Sequence, residues 1–161
     1  VFHAFAGKRI PRRHAMLMQI LSGASGLAGS CASCLFRNSA FRSRPFPVEY
    51  HHYGDTAWMY LHLPKIETAF CEDPVARFWV HDSGTRRVVD KKQIYALAAG
   101  LIPHLPEDEQ IWVRRLIDAS LRIDAYRDRG SIYPWWFFPD AWRSWRTRNQ
   151  AQAELVRQLF A

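Results

Sequence analysis

The chain has 161 residues and a formal net charge of +7, with 48% hydrophobic residues, which leaves room for a modest core plus an appended segment. The charge is uneven: residues 1–48 hold seven Lys or Arg and no Asp or Glu, whereas residues 49–161 hold fifteen of each sign. The basic excess therefore belongs to the N-terminal segment, which argues against a globular domain built around a nucleic-acid face. Three cysteines exclude a disulfide framework.

Residues 1–13 (VFHAFAGKRIPRR) form a basic N-terminal arm, and an acid-free, Arg-rich start is typical of mitochondrial targeting regions. Residues 14–36 (HAMLMQILSGASGLAGSCASCLF) follow without one formally charged side chain. As a helix rising about 1.5 Å per residue they would cover about 34 Å, enough for a hydrocarbon core of about 30 Å. The expectation is a transmembrane helix, flanked by Lys8, Arg9, Arg12 and Arg13 before it and by Arg37, Arg42 and Arg44 after it. Its second half is nearly all small, and Ser22, Gly26, Ser30 and Cys34 recur every four residues. Small residues at that spacing let another helix approach closely inside a membrane. A buried helix of a soluble domain and a secretory signal peptide compete for the same stretch. Cys31 and Cys34 make a C-x-x-C with no second pair, and they read as small packing residues, not zinc ligands.

Residues 37–64 are read as an irregular connector rich in proline and aromatic side chains. Tyr50, Tyr53, Trp58 and Tyr60 suit either a membrane–water boundary or a small core. His51, His52, His62 and the nearby Cys71 lack the spacing of a metal site, so no metal and no cofactor are expected.

Residues 65–161 are read as an extramembrane helical region. Asp90 suits the N-cap of a helix through Gly100 that turns Ile94, Leu97, Ala98 and Leu101 to one side. Glu107, Asp108 and Glu109 open a second helix, where negative charge complements the helix dipole. Trp112, Leu116, Ala119, Ile123 and Tyr126 recur at intervals of 4, 3, 4 and 3, an amphipathic seam that ends at Gly130. Residues 133–139 (YPWWFFP) then set Tyr133, Trp135, Trp136, Phe137 and Phe138 between two prolines, an expected contact with the membrane interface or a neighbouring subunit. A last helix over residues 140–160 interleaves Trp142 and Trp145 with Arg143, Arg146 and Arg148, a pattern of RNA or anionic-lipid binding or simply of an amphipathic helix.

No phosphate-binding glycine loop, nucleophile elbow or H-E-x-x-H is present, so no enzymatic activity and no catalytic residue is expected. The fold class expected is mainly α, with one N-terminal transmembrane helix plus a small extramembrane helical domain. The run Arg42-Ser43-Arg44-Pro45-Phe46-Pro47, followed after six residues by Gly54-Asp55, resembles the R-x-[RK]-P-[FY]-P and W-G-D-G-N-H segments after the membrane helix of cytochrome c oxidase subunit VIa, without the closing Gly-Asn-His. Tyr53 stands where that family has Trp, and no functional residue is carried over. The overall layout, a basic arm, a packing helix and an aromatic-rich extramembrane part, resembles the supernumerary single-pass subunits of mitochondrial inner-membrane complexes. With the local likeness in support, it implies a non-catalytic accessory subunit, either of the respiratory chain or of the ATP synthase. Its partners would be other subunits and the lipid bilayer, including anionic lipid. The alternative expectation is a mitochondrial ribosomal protein whose basic arm threads into RNA.

Overall fold

The computed structural model describes residues 7–23, 36–71, 91–128 and 138–160. They are mainly helical, with one two-stranded sheet, and the chain divides into two compact units, residues 1–97 and residues 98–161.

In the first unit, β1 (Arg9–Ile10) pairs antiparallel with β2 (Thr68–Ala69), in the register Arg9 to Ala69 and Ile10 to Thr68. The pairing extends outward: the Gly7 amide donates to the Phe70 carbonyl at 3.0 Å. Helix α1 (Arg12–Ser22) starts after Pro11, and its run of Arg, Met, Leu, Gln and Ala has high helix propensity. Ala15, Met16, Leu17, Met18, Gln19 and Ile20 are all buried. Six consecutive buried positions go all the way round a helix, so α1 is a central rod of this unit and not an amphipathic cover. It packs against α3 (Gly54–His62) and against the 3-10 turn Leu63–Lys65.

The expected transmembrane helix over residues 14–36 is therefore corrected. At 11 residues, α1 covers about 16 Å, half of a hydrocarbon core. It stops because Gly23 takes φ +61° and ψ −132°, which takes the backbone out of the helix. An added Cβ at Gly23 would meet nothing within 4 Å, so backbone conformation, not crowding, calls for glycine there. The Tyr60 hydroxyl of α3 lies 3.1 Å from the Gln19 carbonyl and 3.3 Å from that of Gly23, where the last turn of α1 has orphan acceptors. Among the described residues no helix is long and apolar enough to cross a membrane. Residues 24–35 lie outside the described part.

The stretch expected to be an irregular connector is largely ordered into short helices. Helix α2 (Asn38–Arg42) is followed by 3-10 turns over Val48–Tyr53, kinked where His51 takes φ +47°, and then by α3. Proline at 45, 47 and 64 masks this in the sequence, because each proline breaks the pattern without preventing a helix between the breaks.

Helix α4 (Lys91–Leu101) buries Ile94, Leu97, Ala98 and Leu101, the side expected, and the division between the units falls within it. Asp90 is outside the described residues. In the second unit, the turn Ile102–His104 leads to α5 (Glu107–Asp128) and α6 (Pro139–Leu159), which pack along each other. Leu116, Ala119 and Ile123 of the expected seam are buried, joined by Val113 and Ile117, while Trp112 and Tyr126 are partly exposed. From α6, Ala141, Ser144, Ala151, Leu155 and Leu159 are buried. Buried alanines and serines on both rods permit a close interhelical approach.

Candidate interaction surface

The residues singled out in the sequence separate into distinct places. Ser22 ends α1 and donates its hydroxyl back to the Gln19 carbonyl at 2.9 Å, while Gly26, Ser30 and Cys34 lie outside the described residues. The expected basic flanks do not bracket a span. Lys8 and Arg9 sit in the β1 segment, and Arg9 meets Glu67 at 3.6 Å in an exposed pair. Arg12 and Arg13 form the first turn of α1, Arg37 precedes α2, Arg42 ends it, and Arg44 follows. Of YPWWFFP only the last two residues are described; Tyr133, Trp135, Trp136 and Phe137 fall outside. Phe138 stacks on Tyr126 with ring centroids 5.7 Å apart and planes 20° apart.

In the first unit, the Arg42–Pro47 segment finds a role that its sequence likeness does not supply. Trp58 is completely buried, and its indole N–H donates to the Arg44 carbonyl at 2.6 Å. Phe41 stacks on it at 4.9 Å, Phe36 meets it edge-on at 5.3 Å, and Phe46 lies 6.1 Å away. The His62 ring completes the cluster at 5.0 Å. Burial, followed by the nearby charges of Arg44 and Lys65, pushes the His62 pKa below the usual imidazole range and favours its neutral form. Phe46 remains 40% exposed, so the cluster reaches the surface. His51 and Cys71 are exposed elsewhere, and among the described residues no group of three or more His, Cys, Asp or Glu could hold a metal ion.

The second unit carries a different surface. Residues 98–161 contain arginine but no lysine; the chain's only lysines are Lys8, Lys65, Lys91 and Lys92. Trp142, 46% exposed, stacks on Trp145 with centroids 4.8 Å apart and planes 16° apart. Their positions on α6 alternate with the exposed Arg143 and Arg146. Exposed indoles cost solvation free energy that a partner would recover, and Trp with Arg is the composition of interface hot spots.

Beside this face lies a groove of about 510 Å³ between the C-terminal half of α5 and the N-terminal half of α6. Arg115, Asp118, Arg122 and Tyr126 line it from α5; Asp140 and Arg143 line it from α6. Small side chains, Ala119, Ala125, Ser144 and Thr147, line the rest. Arg143 holds Asp140 at 3.6 Å, and the Ser144 hydroxyl donates to the Asp140 carbonyl at 2.8 Å. The Arg115 guanidinium lies 4.7 Å from the Trp112 ring centroid, a cation–π contact that keeps the side chain along α5. Neither Arg115 nor Arg122 has a carboxylate within salt-bridge distance among the described residues.

The sequence contains part of this signal. Arg115, Asp118 and Arg122 are spaced three and four apart, hence on one stripe of α5. Arg143 joins them only through the register of two helices, which no local pattern encodes. The sequence matches no family model and no curated protein, and no solved structure matches the chain.

Proposed function

We propose that the chain is a non-catalytic structural accessory subunit of a mitochondrial inner-membrane complex, a respiratory complex or the ATP synthase. The carrying observation is the exposed Trp142 stacked on the half-buried Trp145, interleaved with the exposed Arg143 and Arg146. It is a ready docking face on a helix whose opposite side already fills a core. The likeness of Arg42–Pro47 to the subunit VIa segment supports the same class. In this reading attachment runs through subunit contacts and lipid headgroups at the membrane surface, since α1 spends its apolar side chains inside the first unit. The basic residues Lys8, Arg9, Arg12, Arg37 and Arg42 are exposed and add electrostatic attraction to an anionic leaflet.

The same exposed arginines favour one second reading, a mitochondrial ribosomal protein, because α1 needs no lipid and the basic segment is open to RNA. Mild detergent extracts of mitochondria, resolved on a native gel and in parallel on a sucrose gradient, separate the two. Co-migration with a respiratory complex or the ATP synthase is expected. Co-sedimentation with a ribosomal subunit, lost on ribonuclease treatment, would replace the first reading with the second.

A further inference from the structure

We propose that the groove between α5 and α6 receives the phosphodiester headgroup of an anionic phospholipid. The inference rests on the membrane-complex reading and gives that reading a specific ligand site.

Charge sets the ligand class. Three arginines against two aspartates leave the lining with one positive charge, and Asp140 is already engaged by Arg143. The groove also meets the first turns of α6, whose N-cap Phe138 supplies no side-chain acceptor. The uncapped amides there add about half a positive charge to the field, on a helix of 21 residues. A singly charged phosphodiester matches that balance; a polyphosphate tail would be left under-neutralised.

Geometry sets the contact. Arg115 and Arg122 stand two helical turns apart on one stripe of α5, and their planar forks suit bidentate donation to phosphate oxygens. Arg115 is steered by Trp112, so part of the ordering cost is met before a ligand arrives. Ala119 and Ala125 leave room for a headgroup, and about 510 Å³ falls within the range of about 300–1,000 Å³ usual for small-ligand sites.

Two observations favour lipid over a nucleic-acid backbone. Residues 98–161 hold nine arginines and eight acidic residues, so the unit as a whole is nearly neutral. Binding a polyanion rests instead on many simultaneous phosphate contacts over a basic face. The neighbouring Trp142–Trp145 stack also offers indoles of the kind that settle at the depth of lipid headgroups, one position away from Arg143.

The test is flotation of the full chain with phosphatidylcholine vesicles, with and without added phosphatidylglycerol. Uptake is expected only with phosphatidylglycerol. It should weaken about fivefold for Arg122→Gln and about thirtyfold for Arg115→Gln with Arg122→Gln, with circular dichroism unchanged. Arg157→Gln, at the far end of α6 and paired with Glu154, should bind as the parent does. Arg122→Lys keeps the charge but not the fork, and a built site should lose affinity with it. Parent-like binding by Arg122→Lys, or an equal loss with Arg157→Gln, would reduce the effect to diffuse surface charge and overturn the site. Tighter binding of a single-stranded RNA oligonucleotide through the same arginines would overturn the lipid assignment. A chain that co-migrates with a membrane complex yet ignores these vesicles breaks the lipid site alone. Vesicle binding by a chain that co-migrates with no membrane complex breaks the subunit reading instead.

Discussion

In residues 1–97, Trp58 and Tyr60 reach partners 14, 37 and 41 residues away in the chain, whereas the pairs Asp124–Arg127, Asp140–Arg143 and Glu154–Arg157 of the second unit each join positions three apart on one helix. The first unit depends on a few large side chains that tie distant segments together. The second depends on two long rods whose contacts repeat along their length. Closing long loops costs conformational entropy that a few anchors must offset, so removing one anchor should hurt more than removing one rung of the α5–α6 pair.

The sharpest way to break this contrast is Trp58→Ala. It empties the centre of a fully buried aromatic cluster and should cost about 3–5 kcal/mol. Hydrogen exchange should show protection lost over residues 7–71 and kept over residues 107–160. Equal loss in both would mean that the two units unfold as one block. Next in size is Ala151→Leu, which forces bulk against a site with no exposed surface and should cost about 1–3 kcal/mol, with protection falling first in α5 and α6.

Tyr60→Phe is expected to cost about 1 kcal/mol, by removing the hydroxyl that faces the Gln19 and Gly23 carbonyls. It should also change the alkaline limb of stability. Burial raises the Tyr60 pKa from 10.0 to about 12, so the unfolded chain loses this proton first. Stability present below pH 10 is then lost as the pH rises toward about 12, and urea melts of Tyr60→Phe should be flatter across that window. The smallest effect belongs to Glu154→Gln. Its pair with Arg157 holds the carboxylate below the usual range, but Arg157 is largely exposed and the pair is screened, so the melting temperature should barely move.

What could be read in the sequence follows the same division. Helices α4, α5 and α6 carry their own periodicity, α5 and α6 add a proline and an acidic first turn at their starts, and the buried Leu116, Ala119 and Ile123 are the expected seam. The first unit resisted because its order is non-local. Uncharged residues 14–36 resemble a membrane span in composition. Two facts decide otherwise for α1: the positive φ at Gly23, and the enclosing contacts from a helix some 40 residues on. Trp58 was equally suited to a membrane boundary and to a core, because a ring's surroundings are set by Phe36, Phe41 and Arg44, not by its immediate neighbours. The groove was half visible: the α5 stripe is periodic, while Arg143 is added by tertiary register.

The absence of lysine from residues 98–161 has a practical corollary for anyone mapping neighbours of this protein. Amine-directed cross-linkers react with lysine, and the side-chain amines at 8, 65, 91 and 92 all belong to the first unit. Such reagents would trace every contact to that half of the chain, even where α6 does the holding. Carboxylate- or guanidinium-directed chemistry, aimed at Asp118, Asp140 or Arg146, is what would register a neighbour seated on the second.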